Sequence, residues 1–252
     1  MYTFCLTSIN TMRRFYSVII KNLFRSTYMI PLMRFFAGHP DRFSEEQRYG
    51  LARHAIHLVE HSGHIRPRII GLENLPASGG YIMYPNHQGK YDALGIMTEL
   101  PDPCSFVIAD ENSHRLFVRE FTDLLQGKRL RRNDLAQAAS LFSEITADLE
   151  QGKRYILFPE GGYENNKHNA VGRFRAGSFK PAKNARVPIV PVALINTYKV
   201  FNGHGLENLG RVRPVVEYLE PIPYEEYRDL RTSQIAALVQ ERIEDAISSY
   251  CA

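Results

Sequence analysis

From residue 66 onward the chain alternates short apolar runs with helical stretches, and that rhythm restricts its fold more than any other feature. Candidate strands are Arg68–Leu72, Tyr81–Tyr84, Ser105–Ile108, Lys128–Arg131, Tyr155–Phe158, Ile189–Ile195 and Val212–Leu219, each four to eight residues long. That length suits a strand and is short for a helix. The clearest helix between them runs from Leu135 to Leu149, with Leu135, Ala138, Leu141, Phe142, Ile145 and Leu149 on one face. Asp134 precedes it as an N-cap with Gln137 three residues on, and Gly152 follows as a stop. Thr232 to Ile247 repeats the pattern through Ile235, Leu238, Val239, Ile243 and Ile247. Alternation of this kind predicts an α/β fold with a mixed central sheet flanked by helices. Such sheets bind ligands where their strands run out into loops.

Residues 1–65 follow another rhythm, which predicts an N-terminal segment, 1–65, ahead of an α/β domain, 66–252. Gly38-His39-Pro40-Asp41 breaks a first helical region, and Ser44-Glu45-Glu46-Gln47 reads as a capping box opening a second helix to about His61. Phe, Tyr, Ile and Met crowd residues 1–40, interrupted by Arg13, Arg14, Lys21, Arg25 and Arg34. No apolar run there approaches the roughly 20 residues of a membrane span. A secretory leader carries its basic residues ahead of its apolar core, whereas here Arg13 and Arg14 follow an uncharged start. The segment reads as an amphipathic helical pair that lies on a membrane surface, with apolar residues in the lipid boundary and cations on anionic headgroups. The other reading is that its apolar face packs on the domain.

Composition narrows the partners. With 44% hydrophobic and 23% charged residues the chain of 252 suits a sizeable globular core, not disorder or full membrane embedding. A net charge of +4 permits attraction to phosphate groups or lipid headgroups and does not call for nucleic acid. Cys5, Cys104 and Cys251 are far apart and odd in number, which predicts inert thiols, no disulfide framework and no metal site.

Chemistry concentrates where strands end. After Tyr81-Ile82-Met83-Tyr84-Pro85 comes Asn86-His87-Gln88-Gly89-Lys90-Tyr91-Asp92, which places a histidine and an aspartate five positions apart at a sheet edge. A neutral imidazole oriented by a carboxylate can take the proton of a hydroxyl. Lys128-Arg129-Leu130-Arg131-Arg132 puts four cations ahead of a helix start, either an anion clamp or a charged edge strand. Phe158-Pro159-Glu160-Gly161-Gly162 sets a carboxylate and two glycines after an apolar run, either a ligand loop or an ordinary turn. Val187-Pro188-Ile189-Val190-Pro191-Val192-Ala193 is a proline-bracketed strand, expected to be irregular or near an edge because proline cannot donate to a ladder.

In this order and spacing the four blocks resemble the glycerolipid acyltransferase superfamily, specifically bacterial 1-acyl-sn-glycerol-3-phosphate (lysophosphatidic acid) acyltransferases. The matching segments are Asn86–Asp92, Leu130–Asp134, Phe158–Gly161 and Val187–Pro191, with support from Gly71–Pro76 and Phe174–Lys180. The resemblance implies transfer of a fatty acyl group from an acyl-ACP or acyl-CoA thioester to the hydroxyl of a lysophospholipid, giving phosphatidic acid. No cofactor and no covalent enzyme intermediate are implied. His87 would be the general base and Asp92 would hold its tautomer and favour the imidazolium that forms. Asn86, Arg131, Arg132, Glu160 and Gly161 would bind substrate, Arg131 or Arg132 taking the phosphate. Backbone amides near Gly89 or Gly161 are candidates for holding the oxyanion. The implied partners are acyl carrier protein or CoA thioester, a lysophospholipid and the membrane, and the implied location is the cytoplasmic face of the cell membrane, peripheral or monotopic.

One departure bears on the acceptor. After FPEG the family often continues with Thr-Arg, where this chain has Gly162-Tyr163. Lys167, Arg173 or Arg175 are the available substitutes, and glycerol 3-phosphate or another lyso-lipid is the alternative acceptor. A non-catalytic lipid-binding protein of the same fold is a further alternative. A serine hydrolase is disfavoured, since no GxSxG elbow occurs. Pro181 is expected to break the helix after Lys180.

Overall fold

The computed structural model describes residues 13–163, 168–201 and 210–251. Its centre is a seven-stranded sheet in the order β1-β7-β6-β2-β5-β3-β4. The strands are β1 (Arg68–Ile70), β2 (Tyr81–Pro85), β3 (Ser105–Ala109), β4 (Lys128–Leu130), β5 (Arg154–Ile156), β6 (Ile189–Ile195) and β7 (Val215–Tyr218). Five of them, β6, β2, β5, β3 and β4, are mutually parallel. β7 returns antiparallel to β6, and β1 runs alongside β7. The sheet is therefore mixed, and each of the seven candidate segments supplies one strand. Several strands are shorter than their runs; β5 stops at Ile156, although the Leu157 N–H still reaches the Met83 carbonyl at 3.0 Å.

Alternation along the strands divides the core into two layers. Tyr81 and Met83 of β2 join Val190, Val192 and Leu194 of β6 on one face. They pack there against α2 (Leu23–Gly38), α3 (Glu45–Gly63), α4 (Asp92–Met97) and α6 (Val118–Leu124) through Met33, Ile56, Ile96 and Leu124. On the other face Ile82 and Tyr84 meet α7 (Leu135–Glu150) and α11 (Thr232–Cys251) through Ile145 and Val239. Both predicted caps form: Ser44 and Gln47 exchange backbone and side-chain bonds at 3.3 and 2.9 Å, and the Gln47 counterpart in α7, Gln137, donates its N–H to Asp134 at 2.9 Å.

Three expectations are corrected. Of the two readings of β6, irregular or near an edge, the second fails: it lies between β7 and β2 and is buried throughout. Ile189 faces Ile222, yet three residues on Val192 faces Tyr218, four residues back, so the return strand carries one extra residue opposite Pro191. The missing N–H falls in that slip, which is how a proline fits a central strand. Pro181 does not break a helix but stands in the first turn of α8 (Lys180–Ala185), where its absent N–H has no partner to lose. The first helical region is divided at Asn22 into α1 (Arg13–Lys21) and α2, and α2 is apolar on two sides rather than amphipathic. Met29 and Met33 face inward while Leu23, Phe24, Tyr28, Leu32 and Phe35 are exposed.

Candidate active site

Because five strands are parallel, five strand ends open on one rim of the sheet. β2 delivers residues 86–91 there, β5 delivers Phe158–Gly161, β6 delivers Asn196 and Thr197, and β4 delivers Arg131 and Arg132. Segments more than 70 residues apart in sequence become neighbours, as the His87–Glu160 contact illustrates.

Asp92 opens α4, is fully buried, and gathers three donors on one oxygen. Its Oδ2 accepts from His87 Nδ1 at 2.7 Å, from the Gln88 N–H at 2.6 Å and from the Gly89 N–H at 2.9 Å. A carboxylate against Nδ1 fixes the proton there and leaves Nε2 with its lone pair, the form a general base needs. The ring is held on both sides. Phe158 stacks on it with centroids 4.1 Å apart, and Tyr163 meets it edge-on at 4.7 Å. Burial, then the charge of Asp92, push the Tyr163 phenol above its usual value, so it stays neutral there. His87 retains 17% side-chain exposure, enough for a substrate atom to reach it.

The surrounding loops are tied down by side chains. Glu160 Oε1 accepts the His87 backbone N–H at 2.8 Å. Its other oxygen lies so close to Gly172 that a methyl group there would sit 2.1 Å from Oε2. The Arg175 N–H donates to the Pro159 carbonyl at 2.9 Å and keeps the 172–175 segment alongside this turn. Asn86 is fully buried with both ends of its amide on Leu194, and so fixes the loop base. Gln88 extends the same bracing. Its Nε2 donates to the Leu194 carbonyl at 2.7 Å and to Asn169 Oδ1 at 3.1 Å, and its Oε1 accepts from the Thr197 N–H and hydroxyl at 3.0 and 2.9 Å.

The basic run separates by position. Arg129 pairs with Asp123, and Lys128 with Glu144 and Asp148 at 3.3 and 3.4 Å. The strand ends at Leu130, so Arg131 and Arg132 belong to the turn before α7. Arg131 leans back to Asp134 at 3.2 Å, while Arg132 pairs with Glu111 at 3.1 Å and approaches Gly162. Of the backbone amides around the expected oxyanion positions, two are engaged: the Gly89 N–H serves Asp92, and the Gly161 N–H serves the Phe158 carbonyl at 3.2 Å. Lys167, Cys5 and the side chain of Cys251 lie outside the described residues. Cys104 is buried, its thiol pushed up to about 12 by that burial. Among the described residues no three His, Cys, Asp or Glu side chains are grouped to hold a metal ion. Gln88 and Gly172 were missed in the sequence, since each acts through a partner far along the chain. The one hint was that Gln88 is a polar residue enclosed in the His–Asp block.

A mixed α/β sheet with a carboxylate-oriented histidine on its parallel rim defines a fold and site suited to proton transfer at a hydroxyl. A family model described as Acyltransferase matches residues 66–195, and the chain belongs to that family. It is 26% identical over 198 residues to the 1-acyl-sn-glycerol-3-phosphate acyltransferase of Saccharomyces cerevisiae, covering 78% of this chain and 64% of that protein. It is 30% identical over 162 residues to the alpha form of that enzyme in Ovis aries, covering 64% of this chain and 55% of that protein. The Salmonella typhimurium enzyme of the same name is 29% identical over 174 residues, covering 68% of each chain. The chain thus spans less than two thirds of the yeast and sheep relatives. Among solved structures, the 1-acyl-sn-glycerophosphate (LPA) acyltransferase PlsC of Thermotoga maritima shares the fold, with a TM-score of 0.75 at 19% identity, covering 95% of this chain and 97% of that one.

Proposed function

We propose that the protein transfers a fatty acyl group from an acyl-ACP or acyl-CoA thioester to the free hydroxyl of 1-acyl-sn-glycerol 3-phosphate, forming phosphatidic acid for phospholipid synthesis. The observation that carries this reading is the 2.7 Å contact of His87 Nδ1 with the buried Asp92 carboxylate. The relatives' names favour lysophosphatidic acid as acceptor. His87 Nε2 takes the hydroxyl proton as that oxygen attacks the thioester carbonyl. The tetrahedral intermediate collapses, the C–S bond breaks, and the imidazolium returns its proton to the departing thiolate. Asp92 balances the charge that forms on the ring in between. A thiolate leaves readily, so no covalent enzyme intermediate and no cofactor are invoked.

Residues 1–65 are the proposed membrane-attaching segment, and 66–252 the acyltransferase domain. Tyr16, Ile20, Phe24, Tyr28, Leu32 and Phe35 recur at intervals of three or four along α1 and α2, all exposed. That outward apolar stripe suits peripheral or monotopic attachment, proposed for the cytoplasmic face of the cell membrane. No described helix is long and apolar enough to cross a membrane.

The test is an acceptor panel. Purified protein is assayed with acyl-CoA and acyl-ACP against lysophosphatidic acid, glycerol 3-phosphate and neutral or choline-bearing lyso-lipids. Lysophosphatidic acid is expected to be used best, with activity lost in His87→Ala. Turnover of another acceptor alone overturns the acceptor assignment, and full activity in His87→Ala overturns the mechanism.

A further inference from the structure

Glu60 belongs to α3, outside the four strand-end blocks, yet one of its oxygens holds both ends of the helix that Asp92 opens. Its Oε1 accepts the Tyr91 hydroxyl at 2.5 Å and the Thr98 hydroxyl at 2.7 Å. Tyr91 stands just before α4 and Thr98 just after it. All three side chains are buried, so water does not compete for these contacts. The other Glu60 oxygen meets His57 Nδ1 at 3.4 Å, one turn back on α3. The Thr98 hydroxyl also has the Leu94 carbonyl within reach at 3.0 Å, so Tyr91 is the more dependent of the two donors.

Tyr91 reaches Glu60 because of Gly95. Its ring lies along α4 over that glycine, where a methyl group would sit 2.8 Å from Cε1. The ring also meets Phe201 edge-on at 6.1 Å and shares a buried cluster with Val18 of α1. Burial, then the Glu60 charge, push the Tyr91 phenol well above its usual value, so it keeps the proton it donates. A helix of six residues does not hold itself together in isolation. The place of α4 is therefore set by what grips it from outside, and Asp92 is its first residue.

We propose that Glu60 is a positioning residue for the transfer reaction: by holding Tyr91 and Thr98 it fixes α4, and with it the Asp92 carboxylate, against His87. α3 then does more than belong to the membrane-attaching segment, since it steadies the catalytic pair. This rests on the reading of His87 as the base, and the experiment separates the two.

The turnover and KM for lysophosphatidic acid, and the melting temperature, are measured in Glu60→Ala, Glu60→Gln and Tyr91→Phe, each alone and with Asp92→Asn. Tyr91→Phe removes one hydroxyl and keeps the buried ring, so the fold is expected to survive it. In Glu60→Ala and Tyr91→Phe kcat is expected to fall about tenfold or more, a hydrogen bond to a charged group being worth that much, with KM unchanged. Glu60→Gln retains an accepting oxygen and is expected to recover most of the loss. With Asp92→Asn already present, Tyr91→Phe and Glu60→Ala are expected to change kcat by no more than about twofold, although the melting temperature still falls. Equal losses of kcat with and without Asp92 would make the cluster a support of the fold only and overturn the proposal. So would wild-type kcat in Glu60→Ala and Tyr91→Phe. If the wild type transfers no acyl group, the function reading falls, and the His87 Nδ1 proton, assigned by its loss in His87→Ala, still reports the geometry by NMR. Its resonance is expected to move in Tyr91→Phe, and an unmoved resonance overturns the proposal independently of activity.

Discussion

Asn86 holds Leu194 by both ends of its side-chain amide, Nδ2 donating to the carbonyl at 3.0 Å and Oδ1 accepting the N–H at 2.7 Å. β2 and β6 pair up to Pro85 and Val192, and this clasp carries the pairing past the end of β2 to the residue before His87. Removing it in Asn86→Ala leaves the buried Leu194 N–H unpaired, while the carbonyl keeps Gln88 Nε2, at a cost of roughly 1–3 kcal/mol. Urea denaturation is expected to show that loss, with transferase activity reduced. An unaltered midpoint contradicts the role.

Asp92 Oδ2 serves three donors at once, so an amide cannot replace it cleanly. In Asp92→Asn the oxygen keeps the three contacts without its charge, or the NH2 group faces three donors and the loop shifts. The expected loss in kcat is about a hundredfold to ten-thousandfold. Because the pair works as one unit, His87→Ala/Asp92→Asn is expected to be little worse than His87→Ala alone. Multiplying losses in that double mutant would show that the two residues act separately.

Gly172 lies outside all four sequence blocks, yet its missing side chain makes room for Glu160. Gly172→Ala is expected to displace the carboxylate from the His87 N–H and to lower kcat by at least about tenfold, a hydrogen bond to a charged group being worth that much. The same variant in a Glu160→Gln background is expected to add little. Wild-type turnover in Gly172→Ala contradicts the contact's importance.

Ile20, Leu23 and Phe24 are among the most exposed apolar side chains, at 71%, 64% and 83%. Changing all three to serine is expected to lower partition onto vesicles of phosphatidylglycerol and phosphatidylethanolamine by about tenfold or more. Melting in solution is expected to hold, since the inward residues Val18, Met29 and Met33 are untouched. Co-sedimentation with the vesicles reads the first effect and calorimetry the second. Undiminished co-sedimentation removes the stripe from the attachment surface.

The strands other than the basic β4 were legible as short, largely apolar runs bounded by turn residues, and the caps at Ser44 and Asp134 because their chemistry is local. Strand order was not legible, since parallel neighbours share no hairpin whose turn would reveal them. The central place of β6 was misread for a related reason: Pro191 signals a missing donor, but the extra residue that accommodates it lies in the returning strand. The two-sided α2 reflects tertiary context, because Met33 and Phe35 look equally apolar until one is buried. His87 and Asp92 were visible as a pair five residues apart, whereas Gln88 depends on Thr197, which is 109 residues away.

Five parallel strands spilling their loops onto one rim leave the other rim with little to do but hold the sheet together. The surroundings of His87 can then change through residues in the loops after β3, β4 and β5, while β2, which carries the histidine, stays as it is. Gly162 and Tyr163 lie in such a loop, where a change of residue leaves the histidine and its carboxylate in place. A fold built this way can change at its margins without disturbing its centre. Its substrate range is expected to vary faster than its stability, because the two are written in different residues.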